Sequence, residues 1–180
     1  MAQNIWHEDL VYNPLPPYQF NNDWIILKLN SPLDFNEDVY PPCLPISSDW
    51  SPETNQNNRC FVSGWGALEF EGYSPDNLQW VEIPVVKNEI CKQSFGNDSI
   101  SDGMICAGYD EGGKGSCQGD SGGPLVCLSG DSAILTGIVS FGRGCAWQGY
   151  YGVFARVTKI LDWIQSNIVW PNSPGPLMDL

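Results

Sequence analysis

Gly115-Ser116-Cys117-Gln118-Gly119-Asp120-Ser121-Gly122-Gly123-Pro124 places a serine in a glycine-rich turn. Glycine permits both the twist and the close approach that let successive backbone N–H groups aim at one point. A serine hydroxyl alone is a poor nucleophile, so acyl transfer also requires donors for the oxyanion that develops. Ser121 is therefore the candidate nucleophile, with the N–H groups of Gly119 and Ser121 as candidate oxyanion donors. A plain Gly/Ser turn is the competing reading of any short match, and ten consecutive residues with further matches at the right distances outweigh it.

Those ten residues resemble the nucleophile motif of the trypsin/chymotrypsin family of serine proteases, Gly-Asp-Ser-Gly-Gly-Pro. The family's triad runs His, Asp, Ser along the chain. Asn22-Asp23-Trp24-Ile25-Ile26-Leu27-Lys28-Leu29 is similar to its Asn-Asp-Ile-Ala-Leu-Leu-Lys-Leu segment, which makes Asp23 the carboxylate expected to orient and stabilise an imidazole. The family's Thr-Ala-Ala-His-Cys motif has no counterpart before Asp23. His7, the single histidine, lies in Ile5-Trp6-His7-Glu8-Asp9-Leu10-Val11-Tyr12, which is similar to a surface segment of the family, Ile-x-His-Pro-x-Tyr. A general base must reach the hydroxyl directly or through one water. The spacing from His7 to Asp23 is far shorter than the family's, so His7 is read as a solvated surface histidine. The family's Ile-Val-Gly-Gly start, whose ammonium pairs with the acid before the nucleophile, is also unmatched. Asp120 is expected to lack that partner and the oxyanion hole to be loose, as in a family zymogen.

With 180 residues and 42% hydrophobic content, the chain can bury a sizeable core within one domain. Only 16% of residues are charged, and 19 glycines and 14 prolines suit many short strands joined by turns. No apolar run reaches membrane-spanning length, and Met1-Ala2-Gln3-Asn4 does not open an export signal. A net charge of −13 argues against nucleic acid or an anionic membrane as partner.

Seven cysteines point to an oxidising compartment, extracellular or at the cell surface. The resemblance, not the spacing, supplies a pairing: Cys60 with Cys127, Cys91 with Cys106, and Cys117 with Cys145 beside the nucleophile. Cys43 is left over, in Pro41-Pro42-Cys43-Leu44-Pro45, similar to the site where two-chain members are linked to a propeptide or stem. Metal binding is the competing reading. The wide spacing, with no Cys-x-x-Cys pair and one histidine, disfavours it.

Strands are expected at 24–29, 59–64, 78–86, 104–108, 124–128, 134–141 and 152–156, and a polar, Pro-rich connector over 30–50. Ile160, Trp163 and Ile164 share one face of a helix expected over 157–166. The resemblance implies an all-β, trypsin-like double β-barrel, truncated to a complete C-terminal barrel and the end of the N-terminal one, with a C-terminal helix. Residues 1–169 would form this partial protease domain, and 170–180, with three prolines, a flexible tail.

Six residues before the nucleophile, at the base of the family's substrate pocket, stands Gly115, where trypsin-like members carry Asp. Gly142 and Gly152 match the small wall residues of deep pockets, so a large apolar or aromatic substrate side chain is expected to fit. Ser116 and Gln118 complete this wall. Ser140-Phe141-Gly142 resembles the Ser-Trp-Gly strand that pairs with the substrate backbone. Arg143 is read as a solvated rim cation that could favour an acidic substrate group. Tyr151 is weak evidence for a sodium-binding loop, and Asn97-Asp98-Ser99 is a glycosylation sequon in a polar loop. No cofactor is implied. Protein or peptide substrates and protease inhibitors are the expected partners. Three readings follow: a serine endopeptidase acting through a Ser121 acyl-enzyme, with little activity in this polypeptide alone; a non-catalytic module that binds peptides or inhibitors; and an incomplete product without a stable fold.

Overall fold

The computed structural model describes residues 3–6, 20–48, 50–54 and 59–168. His7 and the 170–180 tail lie outside them. Two sheets organise the described residues. The smaller pairs β1 (Gln3–Trp6) antiparallel with β2 (Ile25–Lys28). The larger has seven strands: β3 (Cys60–Gly64), β4 (Gln79–Glu82), β5 (Val85–Val86), β6 (Met104–Ala107), β7 (Pro124–Ser129), β8 (Ser132–Phe141) and β9 (Gly152–Arg156). Their spatial order is β4-β3-β7-β8-β9-β6-β5, antiparallel throughout.

The first and last strands in that order are two halves of one run. The expected strand 78–86 divides at Ile83-Pro84. The Ile83 N–H still donates to the Cys60 carbonyl at 2.9 Å, on the β3 side. Pro84 has no N–H to offer, and its carbonyl accepts from Gly108 N–H at 2.9 Å, beyond the end of β6. A proline is tolerated where a strand changes partners because no ladder donor is lost. The two end strands of the sheet are thereby joined through Ile83-Pro84, and the sheet curls round.

Alternation along the strands fills the barrel. Val62, Ile83, Ile105, Leu125, Val139 and Phe154 form a buried core with the Cys60–Cys127 disulfide, whose cysteines face each other in the β3–β7 register. Cys91–Cys106 ties α1 (Asn88–Phe95) to β6, and the third bridge joins Cys117 to Cys145. Cys43 is free and exposed, while its backbone pairs on both sides with the start of β8, through Ala133 and Leu135.

The expected C-terminal helix is shorter: a 3-10 turn covers Val157–Lys159 and α2 runs over Leu161–Asn167. Val157, Ile160 and Leu161 are buried with Trp24, and Trp163 and Ile164 pack against them. The strand expected at 24–29 covers Ile25–Lys28 and is not a buried one. Trp24 is buried, but Leu27 and Leu29 are more than half exposed, because β1 is the one strand beside β2 among the described residues. No helix among the described residues is long and apolar enough to cross a membrane.

Candidate active site

The turn that carries Ser121 is built by its own backbone. Asp120 N–H donates to the Cys117 carbonyl at 3.0 Å and Gly123 N–H to the Asp120 carbonyl at 2.9 Å. Gly122 N–H and the Gly123 carbonyl pair with Val139 of β8, both at 2.9 Å, which fastens the turn to the sheet. Ser121 is exposed at the tip. Gly119 has φ +98°, and a Cβ there would lie 3.1 Å from Gly66 Cα, so both conformation and space require glycine. Among the described residues the N–H groups of Gly119 and Ser121 meet no acceptor.

Asp23 arrives at the same strand from the opposite end of the sequence. Ser140 Oγ, next to Val139 on β8, donates to Asp23 Oδ2 at 2.6 Å across 117 residues of sequence. The short segment before Asp23 is anchored too, because Ser101 Oγ donates to Asn21 Oδ1 at 2.8 Å and the Phe20 ring lies 5.4 Å from that of Phe141. Phe20 and Asn22 both take φ near +60°. Such angles are common for asparagine and rare for a bulky aromatic, so the tight bend holds local strain at this site. Two adjacent residues of β8, Val139 and Ser140, thus hold the serine turn and the carboxylate.

Asp120 is held by backbone donors. Its Oδ1 accepts from Gly66 N–H at 2.8 Å and its Oδ2 from Cys117 N–H at 2.9 Å. Both donors are backbone groups, and the absence of side chains at Gly64 and Gly66 makes room for the carboxylate. A groove of about 180 Å³ lies beside it, lined by Ser63, Gly64, Ala67, Gly113, Lys114 and Gly115 among others.

Next to the serine turn is a cavity of about 170 Å³. All seven residues expected on sequence grounds line it: Gly115, Ser116, Gln118, Ser140, Phe141, Gly142 and Gly152. No Asp or Glu lines it among the described residues, whereas Lys114 and Arg143 do. Arg143 Nη1 donates to the Tyr150 hydroxyl at 2.9 Å, with its guanidinium 4.9 Å from that ring's centre. Tyr151 is buried and donates to Asp110 Oδ1 at 3.3 Å. Burial first, then the Asp110 carboxylate, pushes its hydroxyl pKa above the ordinary value. Ala146 and Phe70 are among the lining residues that the sequence did not single out. Ala146 stands 3.1 Å from where a Gly115 Cβ would be, and Phe70 reaches in from the loop after β3, with its ring 5.4 Å from Trp147. Ala146 follows Cys145 directly, and that adjacency to the bridge was the available signal. Phe70 offered none. Among the described residues no cluster of His, Cys, Asp or Glu is placed to hold a metal.

Comparison with known proteins agrees with this geometry. Residues 2–164 match the family model described as Trypsin. The chain is 44% identical to Trypsin-1 of Astacus astacus, over 94% of this chain and 67% of that protein. It is 42% identical to Venom protease of Bombus pensylvanicus, over 87% of this chain and 61% of the relative. Trypsin II-P29 of Gallus gallus is 43% identical over 82% of this chain and 56% of its own length. The chain therefore spans roughly three fifths of the proteins it resembles. With a family match over most of its length and a curled antiparallel sheet presenting the serine turn, the chain belongs to the trypsin family of serine proteases.

Proposed function

We propose that this chain supplies the nucleophile, oxyanion donors and orienting carboxylate of a secreted serine endopeptidase. Ser121 Oγ attacks the scissile carbonyl, the N–H groups of Gly119 and Ser121 receive the developing oxyanion, and water later releases the acyl group from Ser121. Asp23 would orient an imidazole and stabilise its cationic form. The observation that carries this reading is the convergence of the Ser121 turn and Asp23 on Val139 and Ser140, beside the cavity. Phe141 and Gly142 continue from the same strand and can pair with an extended peptide.

Asp120 is the activation carboxylate in this reading. The groove next to it has the position to admit a chain-terminal ammonium, which would add a third donor to the two backbone N–H groups. Cys43, exposed on a rigidly paired backbone, would carry a disulfide-linked propeptide or stem. Protein substrates and protease inhibitors would occupy the same cleft.

The sequence holds one histidine, His7, too near Asp23 in sequence for the family's arrangement. As this polypeptide alone the protein therefore turns over peptides or esters only at a residual rate. Loss of a single triad member leaves about 10³ to 10⁴-fold acceleration over water. The alternative is a non-catalytic module that binds peptides or inhibitors in the same cleft. The deciding measurement is hydrolysis of an activated ester by the isolated chain and by Ser121→Ala and His7→Ala. A slow reaction lost in Ser121→Ala alone fits the proposal. Full turnover lost in both variants makes His7 the base, and tight inhibitor binding without Ser121-dependent hydrolysis favours the binding module.

A further inference from the structure

The chain contains one Asn-x-Ser/Thr sequence, Asn97-Asp98-Ser99, and the fold presents it well. Helix α1 ends at Phe95, and Gly96, with φ +97°, turns the chain out of the helix. The Ser99 N–H closes the following turn onto the Gly96 carbonyl at 3.2 Å. Asn97 is exposed at the crest of that turn, and among the described residues its side-chain amide has no hydrogen-bond partner. It belongs to none of the residues lining the cavity. The Cys91–Cys106 bridge encloses the turn in a short covalent loop, which fixes its place at the end of α1.

We infer that Asn97 is a site of N-linked glycosylation. The inference rests on the secretory reading above, since the donor is a lipid-diphosphate-linked oligosaccharide of that pathway. In the transfer, the Asn97 carboxamide nitrogen forms a bond to the first sugar's anomeric carbon, the bond from that carbon to the diphosphate breaks, one amide proton leaves, and the lipid diphosphate departs. Ser99 supplies the hydroxyl that the acceptor sequence requires, and Asp98 satisfies the requirement that the middle residue not be proline.

The test is cell-free translation of the full chain behind a supplied secretory leader, with endoplasmic-reticulum microsomes, scored on the protease-protected product. Because transfer occurs on the entering chain, the result does not depend on the stability of any variant. The expected result is one mobility increment, removed by an endoglycosidase, absent in Asn97→Gln and Ser99→Ala and kept in Ser99→Thr. A protected chain without the increment, or an increment that survives Asn97→Gln, overturns the site. The leader is supplied, so such a failure leaves the compartment reading intact. That reading fails separately, if the natural protein fractionates with the cytosol.

Discussion

At Gly66 the chain has no room for a side chain: a Cβ would come within 2.6 Å of three atoms of the Asp120 carboxyl. Gly66→Ala is therefore expected to swing Asp120 out and disorder the turn before Ser121. The cost is about 1–3 kcal/mol of stability, the range for overpacking a filled site, read as a lower midpoint in denaturant. Labelling of Ser121 by an acylating reagent should fall with it. Retention of wild-type stability and labelling would show that Asp120 does not support the turn. Tyr151 gives a pH prediction. Its folded-state pKa is raised by burial and Asp110, so the stability it contributes is complete below the ordinary tyrosine value and is lost as pH rises through the folded one. Thermal melts between neutral and strongly alkaline pH should show a steeper alkaline decline for the parent chain than for Tyr151→Phe.

The barrel strands show where sequence patterning sufficed. Cys60–Gly64 alternates in burial, and Gly152–Arg156 is a short apolar run bounded by turns that matches its expected bounds. The division of 78–86 was not legible, because Ile83-Pro84 looks like strand until two partners compete for it. Helix α1 was missed for a different reason. Its eight residues are bracketed by a Lys N-cap without a capping side chain, and they leave Ile90 exposed while burying Asn88. Asn88 is buried because its amide donates to the Ser101 and Met104 carbonyls, a tertiary pull that periodicity does not register. In the candidate site the serine turn was readable as one local stretch, whereas the Asp23–Ser140 contact bridges residues too distant for any pattern. Ile83 tests the strand division. It is 1% exposed and packed in the core, so Ile83→Ala should cost about 2–5 kcal/mol. A change well below 1 kcal/mol would mean that the junction is plastic rather than packed.

For the whole molecule the cavity sets the specificity expected of the complete, activated protease. With Gly115 in its lining and only cations among its charged lining residues, substrates with large apolar or aromatic side chains before the scissile bond should exceed Lys and Arg substrates in kcat/KM. Burying an unpaired substrate cation costs several kcal/mol. Gly115→Asp should move preference toward basic residues, but its side chain would press on Ala146, 3.1 Å from the new Cβ. Ala146 itself has φ +53°, so the double change with Ala146→Gly relieves both conflicts and should shift preference further. Matched peptides differing only at that residue decide it. Arg peptides winning in the unaltered protease would place the pairing acid elsewhere.

Because both rims of the barrel belong to the single run Gln79–Val86, the ring cannot be completed by a local hairpin. The two halves of this early segment pair with β3 and β6, and β7, β8 and β9 lie between those partners, so most pairings join residues distant in sequence. That arrangement makes folding a search over distant pairings, with a timescale of ~ms to s rather than μs. The Cys60–Cys127 bridge, closing a loop across 67 residues, shortens the search whenever it is intact. Refolding from denaturant should accordingly be faster for the oxidised chain than for the reduced one.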